Sequence, residues 1–397
     1  MTEEEFYGSI LHLPYLKVES VVHGPKKIGI HCQITVKASK CPVCLKKRET
    51  INQYSLHKYQ DLSISGKEVW LHVRVPQFVC EGCGRYFLHR PEWASSGKSH
   101  TDRQSKWIFE LCAKQSFSEV AALVNACHKT VERIYFRHAN KAVDLLGRYA
   151  RVRKLGIDEL AHRKGKKDYV CVLTDLERGI HLDILKDRKK ETIRSHFQSL
   201  GNGFMRRIEV VACDIWRPYI DVCEACFPNA AVVIDYFHVV KSLNDSLDGI
   251  RKKLRKEHKD TDCFKNIKWA LFKRPDHCCS RQRESLGRAF RDSALLKDAY
   301  DLRNEFLEIM DFSETKVSDE KRLDQWIEKA RDVNQKGFNR FVKTLCRWRT
   351  QIWAFTQTGV TNAMTEGLNN MIRYYKRISF GIPNFEHMRI RVLVSGI

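Results

Sequence analysis

The chain has 397 residues, 43% hydrophobic and 30% charged, which excludes a disordered or collagen-like polymer and is too long for one ordinary core, so several domains are expected. Lys and Arg number 70 against 48 Asp and Glu, a formal charge of +22. That excess points to an anionic polymer as partner, nucleic acid before an acidic membrane. No run approaches the ~18 apolar residues of a membrane span, and MTEEEFYGSI at the N-terminus has no apolar signal core. A cytoplasmic location is expected, where the 15 cysteines serve as metal ligands or buried thiols rather than disulfides.

Up to about residue 90 the pattern is strand-like. VESVVHGPKKIGIHCQITV and KEVWLHVRVPQFVC alternate apolar and polar residues, and each leads into a cysteine pair. Cys41-Pro-Val-Cys44 and Cys80-Glu-Gly-Cys83-Gly84 are two C-x-x-C knuckles. Two residues between thiolates let a tight turn present both sulfurs to one ion, and four such sulfurs complete a zinc tetrahedron. Gly84 supplies the left-handed backbone such a turn often needs. His31 and Cys32 lie nearby and are read as non-ligands. Cys223 and Cys226 share the spacing but fall inside a predicted helix, and they are read as core thiols.

From Thr101 the period becomes helical, opening on a Thr-Asp cap in TDRQSKWIFELCAKQ. Three short helices are predicted. The middle one, about 118–125, turns Val120, Leu123 and Val124 inward. The third, about 129–139, packs Val131, Ile134 and Tyr135. Its other face shows His128, Lys129, Thr130, Arg133 and Arg137, side chains able to reach phosphates and base edges in a major groove. The pattern and the net charge favour a helix-turn-helix, with a connector bundle of solvated cations as the alternative.

A βαβ-like block starts near Arg153. KLGIDELAHRK, DYVCVLTD and GIHLDILKDR read as strands, KKETIRSHFQSL as a helix, IEVVACD as a strand, IWRPYIDVCEACF as a helix and AAVVID as a strand. The region from about 241 to 358 is helical in pattern, anchored by Trp269, Trp326, Trp348 and Trp353, with SETKVSDE as an internal loop. RKKLRKEHK, 251–259, is either a DNA-backbone contact or a solvated helix face. A last helix is expected over about 361–378.

Asp158 and Asp214 each end an apolar strand, where ligand and metal sites gather. Alternation turns Glu159 to the opposite face from Asp158. Two carboxylates from neighbouring strands can share a hard divalent cation. Glu366 can supply a third. On its helix Met364, Leu368, Met371, Ile372 and Tyr375 form an apolar stripe. Glu366, Asn369 or Asn370, Arg373 and Arg377 share another face, placing an acid beside cations, a pattern that an exposed Glu–Arg helix face gives equally.

These blocks, in this order, resemble the ISL3-type insertion-sequence transposases of the DDE class. The knuckles resemble that family's zinc-binding domain. GIDELAHRKGKKDYVCVLTDLERG resembles its first catalytic strand and hairpin. VACDIWRPYIDVCEACFPNAAVVIDYFHVVK resembles its second, and TNAMTEGLNNMIRYYKRISFGIPNFEHMRIRVL its C-terminal segment. The resemblance implies an α/β catalytic core, an RNase H-like mixed sheet with flanking helices, joined to a zinc-binding β domain, a helix-turn-helix and an all-helical insertion. The implied domains are 1–95 (zinc-binding), 96–150 (helix-turn-helix), 151–240 with 359–397 (catalytic) and 241–358 (helical insertion). It implies Asp158, Asp214 and Glu366 as catalytic ligands of two Mg²⁺ or Mn²⁺ ions, and a structural Zn²⁺ on Cys41, Cys44, Cys80 and Cys83. Asp235 and His238 match a supporting D-x-x-H element. Lys129, Thr130, Arg133, Arg137, Arg373, Lys376 and Arg377 are the expected DNA contacts. The implied partners are terminal inverted repeats and target DNA, handled by a homodimer or larger complex in a bacterial cytoplasm at the nucleoid. The implied reaction is cleavage at element ends followed by strand transfer. The rival reading is an inactive or repurposed zinc-containing DNA-binding protein.

Overall fold

In chain order the elements are α1 (Glu3–Leu11), β1 (Leu16–His23), β2 (Lys27–Ile34), β3 (Ser39–Lys40), β4 (Lys47–Arg48), β5 (Ile51–Ile64), β6 (Lys67–Cys80) and β7 (Arg85–Leu88), then α2 (Asp102–Cys112), α3 (Phe117–Leu123), α4 (His128–Ala142) and α5 (Leu145–Tyr149). There follow β8 (Lys154–Arg163), β9 (Asp168–Asp175), β10 (Ile180–Leu185), α6 (Lys190–Ser199), α7 (Gly201–Arg207), β11 (Val210–Cys213), α8 (Arg217–Cys226) and β12 (Ala231–Ile234). The rest is helical: α9 (Tyr236–Glu257), α10 (Lys268–Leu271), α11 (Ser280–Asp292), α12 (Ala294–Ile309), α13 (Glu320–Asp332), α14 (Lys336–Arg347), α15 (Arg349–Thr358), α16 (Ala363–Ile378) and α17 (Phe385–Val394). The computed structural model describes residues 1–94, 99–163, 168–258, 262–311, 320–379, 382 and 384–394. All of the expected loop SETKVSDE except Glu320 lies outside them.

The chain divides into two compact units, Met1–Val143 with Lys376–Ser395, and Asp144–Tyr375. The C-terminal helix therefore belongs to the first unit, although 359–397 was expected wholly within the catalytic segment.

In the first unit β1, β2, β6 and β5 form a sheet, with β7 added to β6. Alternating burial along β2 and β6 puts Ile28, Ile30, Val69, Leu71 and Val73 into one core. The N-terminal helix α1 was not expected, yet a capping box joins Thr2 and Glu5 at its start. Buried Asp61 on β5 ties the sheet to α2, accepting from Thr101 Oγ1 at 2.7 Å and Arg103 Nε at 2.7 Å. Helices α2, α3 and α4 pack around Ile108, Val120, Val131, Ile134 and Tyr135. Val120 and Val124 pack inside as expected, but Leu123 is 57% exposed and Ala121 packs in its place. The turn before α4 passes through Asn125 at φ 47°.

The second unit is built on a five-stranded sheet in the order β10-β9-β8-β11-β12. The strands β10, β9 and β8 are antiparallel neighbours, while β8, β11 and β12 run parallel. Of these, β11 and β12 are apolar throughout, the pattern of parallel strands packed on both faces. One apolar cluster runs from Leu155, Ile157 and Val211 through Leu243 and Phe306 to Trp326 and Phe341, joining sheet and helices. Trp326, Trp348 and Trp353 anchor it as expected, but Trp269 is 69% exposed. The helix expected at 189–200 is α6, and a short helix not expected, α7, follows it from Gly201. Among the described residues no helix is long and apolar enough to cross a membrane.

Candidate active site and cysteine cluster

Strand register brings three carboxylates together. Ile157 on β8 pairs with Cys213 on β11, which pairs with Ile234 on β12. The next residue on each parallel strand is an acid: Asp158, Asp214 and Asp235. They form a row across the sheet, at the strand ends where open α/β sheets place their sites.

Asp235 is buried and Asp158 and Asp214 are half-buried, and this partial removal from water sets the row's electrostatics. Desolvation lifts Asp214 to about 7, with the Asp158 charge adding to the rise. Burial also raises Asp158. His238, in the first turn of α9, is raised chiefly by its hydrogen bond to the Asp235 carboxylate. Its Nδ1 lies 3.0 Å from Asp235 Oδ2 and 3.1 Å from Asp214 Oδ1. One ring nitrogen carries one proton. With that proton on Asp235, Asp214 Oδ1 is buried without a hydrogen-bond donor. Such an oxygen is costly unless a cation meets it. Asp214, Asp235 and His238 present ligand atoms within 4.8 Å of one another. The set suits a hard divalent ion, which prefers oxygen donors.

The start of α16 is stitched over this row by Asn362 and Thr365, which the sequence reading passed over, and by Asn369, which it left open against Asn370. The Asn362 backbone N–H donates to Asp235 Oδ1 at 3.1 Å, and its side-chain amide donates to the Ile157 carbonyl at 3.2 Å. Thr365 Oγ1 meets Thr174 Oγ1 of β9 at 2.6 Å. The Asn369 amide donates to Asp158 Oδ2 at 2.6 Å, which decides between Asn369 and its neighbour. Asn370 instead accepts from Arg373 at 2.6 Å. The helix can come this close because residue 156 is glycine. A Cβ there would lie 2.3 Å from Thr174 Oγ1 and 2.4 Å from Thr365 Oγ1. The signal was present as TN-x-x-T-x-x-x-N spacing, which repeats on one helical face.

Glu366 lies in the first turn of α16, exposed, one turn before Asn369. It stands outside the cluster of Asp214, Asp235 and His238. Leu368 and Ile372 are buried as expected, whereas Met364 and Met371 are 48% and 40% exposed. Glu159 turns away from the row to pair with Arg188, whose guanidinium lies 4.4 Å from the Tyr169 ring and 4.8 Å from that of Trp216. Arg373 and Arg377 are exposed and Lys376 half-buried on α16. On α4, His128, Lys129 and Arg133 are exposed, with Thr130 and Arg137 half-buried.

In the first unit the sulfurs of Cys41, Cys44, Cys80 and Cys83 lie within 4.8 Å of one another. Cys44 and Cys80 are 3.6 Å apart, close to the roughly 3.8 Å edge of a tetrahedron with ~2.3 Å zinc–sulfur bonds. The knuckles are built alike. Leu45 N–H donates to the Cys41 carbonyl, and Gly84 N–H to that of Cys80. Leu45 and Gly84 sit at φ 61° and 63°, the left-handed position expected of Gly84. The Lys46 backbone N–H holds the Cys44 thiol down at about 6, which favours the thiolate that zinc takes. Arg48 Nε donates to Cys80 Sγ at 3.2 Å. By contrast Cys32, Cys223 and Cys226 are buried in the cores, and His31 stacks on His72.

Residues 155–392 match a family described as Transposase, the ISL3 group of DDE transposases. Residues 37–83 match the zinc-finger of transposase IS204/IS1001/IS1096/IS1165. Over 381 residues the chain is 26% identical to the transposase for insertion sequence element IS1001 of Bordetella parapertussis, covering 94% of this chain and 92% of that one. Over 371 residues it is 24% identical to the transposase for insertion sequence element IS1557 of Mycobacterium tuberculosis, covering 86% and 82%.

Proposed function

The chain belongs to the ISL3 family of DDE transposases, and from that premise we propose that it cleaves phosphodiester bonds at the ends of its own insertion sequence and joins the freed 3′-OH to target DNA. The observation that carries this reading is the register row of Asp158, Asp214 and Asp235, with the first turn of α16 hydrogen-bonded across it. The strand order β10-β9-β8-β11-β12 supports an RNase H-like core.

In this reading Asp158, Asp214 and Glu366 hold two divalent ions, Mg²⁺ or Mn²⁺. Bound there, the ions supply Lewis-acid activation of water and charge neutralisation at the phosphate. The protein's own residues position the reaction. Asn369 fixes the Asp158 carboxylate. Asn362 and His238 fix Asp235. Glu366, exposed one turn before Asn369, would supply the third carboxylate to the ions. Fixed groups of this kind serve phosphoryl transfer through orientation rather than covalent chemistry.

Zinc on Cys41, Cys44, Cys80 and Cys83 is structural. Helices α2, α3 and α4 act as a helix-turn-helix that reads the terminal inverted repeats. Lys129, Thr130, Arg133 and Arg137 lie along the recognition helix, and Arg373, Lys376 and Arg377 contact phosphates. The zinc-binding segment 1–95, the helix-turn-helix 96–150, the catalytic segments 151–240 and 359–375 and the helical insertion 241–358 are the working domains, with α17 returned to the first unit. Joining two ends to one target calls for a homodimer or larger assembly, in the bacterial cytoplasm at the nucleoid.

The test is an assay with purified protein, Mg²⁺ and labelled DNA taken from the boundaries of the element that encodes the chain. Nicking at the end and joining to a second duplex by the wild type, with binding alone by Glu366→Gln, supports the proposal. Binding without cutting by both, in Mg²⁺ and in Mn²⁺, transfers the assignment to a DNA-binding protein without catalysis.

A further inference from the structure

Next to the acid row the first turn of α9 carries an apolar ring in an unusual place. Phe237 is 51% exposed, and its ring meets the His238 ring edge-on at 5.6 Å. Its neighbour Tyr236 is half-buried and stacked on Phe355 at 4.4 Å, so the two aromatic residues are treated differently. One helical turn beyond Phe237, on the same face, stands Lys241. From there a cleft of about 310 Å³ runs between α9 and α14, lined by His238, Lys241, Ser242, Asp245, Arg340 and Phe341 among others. Lys241 and Arg340 are both exposed. Asp245 is the one acid among the lining residues. The cleft thus has two exposed cations against one carboxylate and is lined by His238, which is hydrogen-bonded to the acid row, while exposed Phe237 adjoins it on α9, in ring contact with His238.

We infer that this cleft holds one unpaired nucleotide beside the scissile phosphate, its base stacked on Phe237 and its phosphates on Lys241 and Arg340. The inference rests on the transposase reading of the acid row and adds a step to it, local opening of the duplex. The physical case is direct. Every base has a π face, and an exposed aromatic ring beside cations is the platform that single-stranded nucleic acid uses. A base taken out of its stack loses pairing energy, and a stacking partner in the protein offsets that loss. Phosphate charge answers Lys241 and Arg340 without reading sequence.

The experiment measures binding in Ca²⁺, which keeps DNA intact. The probes are two 30-mer duplexes of the same sequence, one fully paired and one with a single unpaired 2-aminopurine. The wild type should prefer the second by about tenfold and quench its fluorescence by stacking. Phe237→Ala should lose both the preference and the quenching, and Phe237→Trp should keep them. Lys241→Ala and Arg340→Ala should weaken both duplexes and each lower the salt slope by about one. Equal wild-type affinity for the two duplexes, or a preference unchanged in Phe237→Ala, overturns the inference. Phe237 is largely exposed, so its removal leaves the core intact, and circular dichroism verifies this. The readout needs no cleavage. A failure here, with end joining by the wild type and not by Glu366→Gln, removes the cleft and leaves the proposed function standing. Loss of end joining removes the proposed function instead.

Discussion

The side-chain amide of Asn369 donates to Asp158 Oδ2 at 2.6 Å, linking residues far apart in the chain. The other oxygen of Asp158 accepts from the Glu159 backbone N–H at 2.7 Å. The carboxylate is therefore fixed at both ends, one by its own strand and one by α16. If Asp158 holds a metal ion as proposed, fixing its carboxylate in this way sharpens its aim. Asn369→Ala should reduce DNA cleavage roughly 10- to 100-fold while leaving the thermal unfolding midpoint within a few degrees. Activity equal to wild type would show that Asp158 needs no such support.

Gly156 permits the approach of α16 to the sheet. Gly156→Ala would press a methyl group against Thr174 and Thr365, both fully buried. Overpacking of this kind costs about 1–3 kcal/mol. Urea titration should show that loss, and the double substitution Gly156→Ala with Thr365→Ala should recover part of it. Unchanged stability in the single variant would mean that the helix sits further from β8.

The four-cysteine cluster predicts about one zinc per chain. Cys80→Ser should abolish stoichiometric zinc, and chelation should open 37–83 to protease while the second unit keeps its fold. Retention of one tightly bound zinc by Cys80→Ser would move the site elsewhere.

A pH dependence follows from Asp214. Its carboxyl lies at about 7 when folded, against roughly 4 in the unfolded chain. Between those values the folded state keeps a proton that the unfolded chain has released, so this group's contribution to stability falls as pH rises through the window. Asn cannot titrate. In metal-free buffer the Tm of Asp214→Asn should therefore gain on wild type by several degrees from pH 4 to pH 8. A constant difference across that range would contradict the burial of the ionised carboxylate.

Much of the site could be read before the fold was known, and the reasons are local. Asp158 and Asp214 were legible because each interrupts an apolar strand, and the knuckles because their spacing is chemical. Gly84 took the backbone conformation that its place after Cys83 suggested. The errors share a cause too. Leu123, Met364, Met371 and Trp269 were assigned to packing faces by period and by size, but what a helix face meets depends on the tertiary partner. Asn362 and Thr365 looked like ordinary polar helix residues: their spacing with Asn369 marks one face, but a helix does not show that its polar side lies on another strand. The placement of α17 with α4 was equally hidden. It depends on Arg391, which is buried, donates to the Cys112 and Gln115 carbonyls at 2.8 and 2.9 Å and lies over the Phe117 ring at 4.7 Å.

The central claim is that Glu366 joins Asp158 and Asp214 around divalent ions. It is tested most directly by loading the DNA-bound protein with Fe²⁺ in place of Mg²⁺ and adding ascorbate and peroxide, so that radicals cut the polypeptide beside the metal. The account predicts fragments ending near 158, 214 and 366, all suppressed by excess Mg²⁺, with the cut near 366 lost in Glu366→Gln. Cuts near 214 and 235 alone, unaffected by that substitution, would contradict it and place the ions on Asp214, Asp235 and His238 instead.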